Sequence, residues 1–221
     1  MRSPPLDRPR SSRASRTVDA AEEPEKRRAI LHAAVRVFAE KGYHGCRIAD
    51  VARAAHVAYG LVYHYFRNKE ELLASVFAEQ WAILLNALRA IDQGPGTSVE
   101  KIAGICAFAI DVYKTAPAAV RVLMLEVTRS PNAMHAGSTR ETFQSAVQII
   151  ADVVRKGQAA GELEPDRDAV VSATAILGAI EMTLSGLVIG VVGGTGPSDA
   201  EIERVKKTVI DLVLAGVRKR A

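Results

Sequence analysis

The sequence predicts an all-α protein of about nine helices, and three observations lead to this fold class. Aromatic residues make up only 5% of the 221 residues, and alanine and aliphatic residues supply most of the hydrophobic 48%. Apolar residues recur with helical spacing, and few segments show the alternation that a half-buried strand requires. Ser, Thr or Asn also stands three residues before Glu at four predicted helix starts, a spacing typical of a capping box. Helices without strands define an all-α architecture.

Charge and composition divide the chain into three parts. Residues 1–23 are rich in Arg, Ser and Pro and lack periodicity, which predicts a disordered basic arm. Residues 24–72 carry nine basic and five acidic groups, a surplus that equals the net charge of +4 of the whole chain. Such a surplus in one short segment is typical of a surface that meets a polyanion, with a solvated face as the alternative. We therefore expect a small domain over residues 24–70 and a larger one over residues 71–221.

Three short helices are predicted in the small domain. The first begins near Pro24, which suits a first helical turn, and ends at Gly42, which suits a C-terminal cap. Its buried stripe has the spacing of one helix face and comprises Ile30, Ala33, Ala34, Val37 and Phe38. Shorter apolar stripes predict a second helix over residues 48–55 and a third over residues 61–66.

Six further helices follow, each opened by a capping residue or a proline. Asn68 opens a long fourth helix, because it lies three residues before Glu71. The chain is broken at Gly94-Pro95-Gly96, at Ser130-Pro131-Asn132 and in the loop of residues 193–197. The remaining starts are Thr97 for the fifth helix, Pro117 for the sixth, Ser138 for the seventh, Pro165-Asp166 for the eighth and Ser198 for the ninth.

Residues 169–193 form an apolar run that is long enough to cross a membrane. Glu181 lies at its centre, where a carboxylate is costly in lipid, and its flanks lack an aromatic belt. We therefore predict a helix that is buried on most sides, inside the protein or at a subunit interface, and no membrane span.

The second and third helices form the candidate site. About four residues, 55–58, join them, and two short helices joined so tightly describe a helix-turn-helix. In this motif the second helix lies in the major groove of DNA and the first crosses the DNA backbone. Tyr59 and Tyr63 share one face of the third helix, where their hydroxyls can bind phosphate oxygens and bases. Gly60 lets the backbone approach the DNA closely.

Further residues of this region divide between the DNA surface and the core. His64 adds a polar ring to the same helix. Lys69 lies at the N-terminus of the next helix, where free N–H groups favour an anion. We predict that these two side chains and the two tyrosines contact DNA, with packing into the core as the alternative. For Tyr65 and Phe66, packing into the core is the favoured interpretation.

The stretch VARAAHVAYGLVYHYFRNKEEL, residues 51–72, resembles the TetR family of transcriptional regulators. The matching positions are Val51-Ala52, the lone Gly60, Val62-Tyr63, Phe66 and the Lys-Glu-x-Leu that follows, and the resemblance covers residues 26–77. The resemblance implies a DNA-binding set of Arg47, Ile48, Ala58, Tyr59, Gly60, Leu61, Tyr63, His64 and Lys69.

Three positions depart from the family pattern. Cys46 and Arg47 occupy the stretch where the family often has a phosphate-binding Thr, and Arg47 can still bind phosphate. His56 replaces the usual Gly of the turn, so either its backbone is unusual or the turn differs. Ala58 replaces the usual Ser or Thr at the start of the recognition helix, which removes one polar contact to DNA.

The resemblance also implies a homodimer on a palindromic double-stranded DNA operator, because one helix-turn-helix buries too little surface for a specific site. Helices near residues 168–192 and 198–217 look like the family's dimerisation pair. Small residues that would permit close helix approach there are Gly178, Ser185, Gly186 and Gly190.

The middle helices would then enclose a pocket for a small, hydrophobic effector that releases the DNA. Its candidate lining consists of Trp81, Phe108, Tyr113, Met124, Phe143 and Met182, with plain core packing as the alternative for each. The resemblance thus implies a ligand-responsive regulator that acts as a repressor.

Other classes of protein fit this sequence less well. Four of the five histidines fall within the first 64 residues, but they lack the spacing of a helical zinc site. The Gly-rich loop of residues 193–196 lacks the Lys and the Ser or Thr of a phosphate loop. We therefore expect no metal, no cofactor and no enzymatic activity.

Cysteine usage bears on redox sensing and on the compartment. Cys46 lies beside Arg47, and a nearby cation lowers the pKa of a thiol, so a redox sensor is one hypothesis and an ordinary small residue the other. Two cysteines are too few for a disulfide framework, and no apolar segment follows the basic N-terminus. These features predict a cytoplasmic protein.

Overall fold

The computed structural model of the protein describes residues 14–126 and 137–219. These residues form nine α-helices, which confirms the predicted all-α class, and one π-helical turn, Val122–Glu126. The helices are α1 (Ala14–Gly45), α2 (Ile48–Ala54), α3 (Tyr59–Tyr65), α4 (Lys69–Gln93), α5 (Ser98–Thr115), α6 (Pro117–Arg121), α7 (Gly137–Ala159), α8 (Ala169–Ile189) and α9 (Asp199–Val217).

The first helix begins earlier than the sequence pattern predicts. The backbone is helical from Ala14, so Pro24 lies inside α1 and not in its first turn. Residues 14–23 therefore belong to a helix and not to the predicted disordered arm, whereas residues 1–13 lie outside the described part of the chain. The four residues before Pro24 are two Ala and two Glu, both of which favour a helix.

Local signals set most helix ends as predicted. Gly42 interrupts α1 with φ 69° and ψ 163° and leaves one short turn after it. Three predicted caps form through backbone N–H bonds to a side chain: Glu71 donates to Asn68, Glu100 to Thr97 and Glu201 to Ser198. The break predicted at residues 130–132 lies outside the described residues, as does the side chain of Ser138.

Two apolar cores share α4. The first joins α1, α2 and α3 to the first turns of α4, and its largest buried side chains are Ile30, Leu31, Phe38, Phe66, Leu72 and Leu73. The second joins the later part of α4 to α5, α7, α8 and α9. Ala119 of α6 and Val122 of the π-helical turn belong to the first core, whereas Val120 belongs to the second. This short segment therefore connects the two cores.

The apolar helix α8 is buried on one side only within a single chain. Its buried residues are Ala173, Ile176, Leu177, Ile180, Leu184, Gly186 and Leu187. The other side leaves Val171, Met182 and Ile189 exposed. Both α8 and α4 are long and apolar enough to cross a membrane by length and composition. Of the two predicted alternatives, burial of α8 on most sides inside the chain is therefore wrong, and burial at a subunit interface stays a prediction for the open apolar face.

The small residues of α8 serve two different purposes. A Cβ at Gly178 would meet nothing within 4 Å, so this position leaves open space on the helix surface. A Cβ at Gly186 would lie 2.8 Å from Cγ2 of Val192, and Gly190 ends the helix in the left-handed conformation with φ 78°. Gly186 and Gly190 are therefore required by the turn after α8, and the prediction that they admit a neighbouring helix is wrong.

Candidate DNA interface and ligand cavity

A tight turn joins α2 to α3. Ala55 ends α2 with right-handed φ −88° and ψ −5°, and His56 then adopts the left-handed conformation with φ 56°. The N–H of Val57 returns to the carbonyl of Ala52 at 3.0 Å. Ala58 is extended, and its methyl group provides no cap for α3. The unusual backbone predicted at His56 is confirmed, whereas the missing polar contact to DNA at Ala58 stays a prediction.

The start of α2 is anchored to α1 by charge and burial. Oδ2 of Asp50 accepts a hydrogen bond from the N–H of Arg47 at 3.1 Å, and its Oδ1 lies 2.8 Å from Nζ of Lys41. The Lys41 hydrogen bond, followed by the Arg47 N–H, lowers the pKa of the Asp50 carboxyl. Arg47 is exposed, but Ile48 is only 8% exposed. The Ile48 side chain therefore packs in the first core, and its prediction as a DNA contact is wrong for that side chain.

The outer face of α3 is dominated by a pair of tyrosines. Tyr59 is 54% exposed and Tyr63 is 43% exposed. Their hydroxyl oxygens lie 3.3 Å apart, and their rings pack edge to face with centroids 5.2 Å apart. The hydrogen bond to Tyr59 is the main cause that raises the pKa of the Tyr63 hydroxyl. A Cβ at Gly60 would meet nothing within 4 Å, so the surface beside the pair is unobstructed.

The end of α3 contacts the N-terminal half of α1 at Glu23. The hydroxyl of Tyr65 donates to the backbone carbonyl of Glu23 at 3.2 Å, and Nε2 of His64 lies 3.6 Å from Oε1 of Glu23. Phe66 is buried beneath the guanidinium of Arg27, whose Cζ lies 5.3 Å from the ring centroid. Tyr65 and Phe66 thus have the structural surroundings predicted for them, and His64 remains exposed on the α3 surface.

The side chain of Lys69 makes hydrogen bonds to the backbone of its own chain. Its Nζ donates to the carbonyl of Tyr43 at 2.6 Å and to the carbonyl of Cys46 at 3.0 Å. The same ammonium lies 4.4 Å from the ring centroid of Tyr43. Two of its three N–H donors therefore hold the end of α1, where carbonyl oxygens lack helical partners. The phosphate contact predicted for Lys69 stays a prediction, and the structure adds two hydrogen bonds within the chain that the sequence did not predict.

The thiol of Cys46 lies in the first core, with 2% of the residue exposed. Burial is the largest influence on its pKa and raises it, although Lys69 and Lys41 act in the opposite direction. Burial also raises the pKa of the Cys106 thiol, to about 12. A protonated, buried thiol is a poor nucleophile. The hypothesis that Cys46 is an activated redox sensor therefore finds no support in this environment.

A cavity of about 650 Å³ lies between α4, α5, α6, the π-helical turn, α7 and α8. Four of the six predicted lining residues contact it: Trp81, Phe108, Met124 and Phe143. Tyr113 does not line it, because its hydroxyl donates to the carbonyl of Leu187 at 3.3 Å. Met182 is 73% exposed on the outer face of α8. The prediction of these last two residues as lining is wrong, because their helical phase turns them away from the cavity.

Four polar residues line the cavity that the sequence did not predict as lining: Gln80, Arg140, Gln144 and Glu181. Glu181 lies one position after the buried Ile180 and three before the buried Leu184, so the signal was a charged residue within an apolar helix. Gln80 lies beside Trp81 on α4 and offered no comparable signal, nor did the two residues of α7. Among the described residues, no group of His, Cys, Asp or Glu is placed to hold a metal ion.

Together, these features define a class of protein: a helix-turn-helix domain joined to a helical domain with an internal apolar cavity. A model of bacterial regulatory proteins of the tetR family matches residues 30–76, and one of the tetracyclin repressor-like C-terminal domain matches residues 99–213. The second match alone covers more than half of the chain. The protein belongs to the TetR family, and it is a DNA-binding transcription regulator and not an enzyme.

Three of the similar proteins are FadR-type regulators or carry a name that refers to fatty acid metabolism. The fatty acid metabolism regulator protein of Bacillus subtilis (strain 168) is 25% identical over 191 residues, which cover 86% of this chain and 95% of that protein. The crystal structure of FadR from Bacillus subtilis in complex with stearoyl-CoA has a TM-score of 0.75 at 26% identity and covers 85% of this chain and 97% of that one. The fatty acid degradation regulator FadR from Bacillus halodurans has a TM-score of 0.77 at 25% identity, with 88% and 97% covered.

Proposed function

We propose that this protein is a repressor that binds a palindromic operator as a homodimer and is released by an effector with a long apolar chain. The observation that carries the proposal is the placement of α6 and the π-helical turn. Ala119, Leu123 and Met124 line the cavity, while Val122 packs in the core of the DNA-binding domain. A ligand in the cavity therefore touches the segment that supports α1.

The DNA interface is formed by the exposed surface of the helix-turn-helix. Tyr59, Gly60 and Tyr63 face the groove, because they are exposed on one side of α3. Arg47 and His64 flank them and supply donors for phosphate oxygens. Ala58 adds only its backbone and methyl group, and the half-buried Leu61 remains in the predicted set of DNA contacts. Lys69 acts indirectly, by holding the end of α1.

Operator binding is tested by fluorescence anisotropy with the DNA that flanks the protein's own gene. Tyr63→Ala is expected to weaken binding about tenfold, because it removes a hydroxyl and a ring from the groove face. Tyr113→Phe is the matched control, since that tyrosine lies in the other domain. Absence of binding at low salt, or equal affinity of Tyr63→Ala and the wild type, would contradict the proposal.

Salt dependence separates the two proposed cationic roles. A residue that binds phosphate contributes about one unit to the slope of log affinity against log salt, whereas a positioning residue does not. We expect Arg47→Gln to reduce this slope. Lys69→Gln should weaken binding at every salt concentration with the slope unchanged, and should lower the thermal midpoint. A reduced slope for Lys69→Gln would restore the phosphate contact that the sequence predicted.

The homodimer is supported by the open apolar face of α8. Val171, Met182 and Ile189 lie on that face, and Leu212 on the neighbouring α9 is 69% exposed. Soluble monomers rarely expose contiguous apolar surface of this kind. Two copies that pair through α8 and α9 would bury it in a four-helix arrangement around a two-fold axis.

The effector is supported by the cavity and by the relative that binds stearoyl-CoA. A volume of about 650 Å³ with a mainly aliphatic and aromatic lining suits an apolar chain. Trp81 is the single tryptophan of the chain and lines the cavity, so its fluorescence reports occupancy. We expect stearoyl-CoA to change this fluorescence and to release the operator. A ligand that changes Trp81 fluorescence but leaves DNA affinity unchanged would contradict regulation by the cavity.

A cytoplasmic location follows from this proposed function, because the operator lies there. Both Cys46 and Cys106 are free thiols, as expected in a reducing compartment.

A further inference from the structure

The cavity has an apolar interior and a polar opening. Its interior is formed by buried side chains, among them Leu88, Ile105, Val120, Ile150, Leu177 and Ile180. The lining residues that stay exposed mark the opening, and they are Ile83, Arg140, Phe143, Gln144 and Glu181. Arg140, Gln144 and Glu181 are the charged and amide groups among these exposed lining residues, and they lie on α7 and α8.

The charged groups at the opening have no partner within the described chain. The side chains of Arg140 and Glu181 make no hydrogen bond or ion pair with any residue that the structure describes, whereas Arg155, on the same helix as Arg140, pairs with Asp152 at 2.6 Å. An Arg guanidinium binds carboxylate or phosphate groups, and a carboxylate accepts N–H donors. The opening thus presents one anion-binding group and one group that accepts N–H bonds and repels anions.

We propose that Arg140 and Glu181 form a head-group site that selects an acyl thioester of the coenzyme A type over a free fatty acid. This inference rests on the proposed function, because it assigns the polar half of the same effector site. A free carboxylate at the end of the chain would be attracted by Arg140 but repelled by Glu181, so it uses only one of the two charged groups. An acyl-CoA uses both, because its amide N–H groups donate to Glu181 and its phosphates bind Arg140.

The glutamines complete this chemistry without adding charge. Gln80 of α4 and Gln144 of α7 also line the cavity. Each side-chain amide offers donors to a thioester carbonyl and an acceptor to an amide N–H. The polar lining therefore matches a head that carries both neutral amide groups and anionic phosphates.

The test titrates the full-length protein with oleoyl-CoA, oleate, oleyl alcohol and free coenzyme A, with Trp81 fluorescence as the signal. Arg140→Gln is expected to lower the affinity for oleoyl-CoA about tenfold and to leave the affinity for oleyl alcohol unchanged, because only the anionic head binds the guanidinium. Glu181→Gln is expected to lower the affinity for oleoyl-CoA about threefold and to raise the affinity for oleate by a similar factor. The preference for oleoyl-CoA over oleate would then be smaller than in the wild type. Arg155→Gln and Glu164→Gln are the matched controls, because they remove the same charges at positions away from the cavity. Neither control variant is expected to change the affinity for oleoyl-CoA or for oleate.

The outcomes separate this inference from the proposed function. If all three chain-bearing ligands bind and neither variant changes their affinities, the head-group site is overturned while the effector cavity stands. If Arg140→Gln weakens oleate as much as oleoyl-CoA and Glu181→Gln has no effect, the site selects a free fatty acid and the inference is overturned. If no ligand changes Trp81 fluorescence in folded wild-type protein, the proposed effector class fails and this inference with it. Circular dichroism and the thermal midpoint of each variant establish folding independently of binding.

Discussion

At the scale of single residues, His56 holds a conformation that its side chain disfavours. Its φ of 56° lies in the left-handed region, where a Cβ crowds the following carbonyl and costs about 1 kcal/mol or more. The turn between α2 and α3 needs this conformation, because Val57 must return its N–H to Ala52. The strain is therefore located in the segment that sets the angle of the recognition helix.

His56→Gly is expected to stabilise the protein by about 0.5–1 kcal/mol, since glycine removes the steric cost while losing more backbone entropy on folding. The measurement is the free energy of unfolding from a urea titration. Ala55→Gly is the matched control. Ala55 has a right-handed backbone with φ −88°, so the change to glycine should destabilise the protein at this position. A destabilised His56→Gly variant would show that the imidazole makes a contribution larger than the strain.

The cysteines carry a prediction about chemical reactivity. Both thiols are buried, and burial raises the pKa of each. A raised pKa keeps the thiol protonated at neutral pH, and only the thiolate reacts. We expect both cysteines of the native protein to react slowly with a disulfide reagent at pH 7 to 8, and both to react at once in guanidinium chloride. Rapid reaction of Cys46 in the folded protein, or loss of operator binding with peroxide, would revive the redox hypothesis.

How far the sequence predicts a residue's role depends on the distance to its partners along the chain. The caps at Asn68, Thr97 and Ser198 are local, so their spacing sufficed. Lys69 binds carbonyl oxygens 26 and 23 positions away, at Tyr43 and Cys46, and no local pattern indicates such contacts. A lysine that precedes an apolar helix is equally compatible with phosphate binding until its surroundings are known.

At the scale of helices, the rotation of each helix about its own axis decides which residues face the core or the cavity, and the sequence does not always reveal it. A helix with an apolar stripe of ordinary width shows its buried face, and the core positions of α1 were predicted for that reason. α8 is apolar on nearly every side, so the pattern does not reveal which residues face the cavity. Met182 and Glu181 are neighbours, yet the structure turns the methionine outward and places the glutamate in the lining.

The outward face of α8 leads to a prediction about assembly. Met182→Glu is expected to convert the dimer to monomers, because it buries an unpaired charge at the centre of the proposed interface. Sedimentation velocity measures the change, and operator affinity should fall with it. Ile83→Glu introduces the same charge at another exposed apolar residue, 54% exposed on α4, and should leave the oligomeric state unchanged. A Met182→Glu variant that remains dimeric would place the interface elsewhere.

At the scale of the whole molecule, the two cores are linked by a segment too short to deform gradually. Val122 packs with the helix-turn-helix, while Leu123 and Met124, the next two residues of the same π-helical turn, line the cavity. The turn is π-helical, a rare geometry that is frequent at functional sites. Closely packed segments of this kind change between discrete arrangements, and each ligand favours the arrangement that it binds better.

One hydrogen bond fastens this segment to the DNA-binding domain. Nε of Arg121, the last residue of α6, donates to the carbonyl of Ala39 in α1 at 3.1 Å. The bond spans 82 positions of the chain and links the cavity wall to the helix that supports the recognition helix. We expect Arg121→Gln to reduce the coupling between effector and operator about threefold to tenfold, since one charge-assisted bond is lost.

The coupling is the ratio of operator dissociation constants measured with and without saturating stearoyl-CoA. Effector affinity in the absence of DNA should change little, because Arg121 does not line the cavity. Arg89→Gln is the matched control, because Arg89 bonds only to Asn86 within α4 among the described residues. A ratio that stays the same in Arg121→Gln would mean that the effector acts through α4, which passes through both cores, and not through α6.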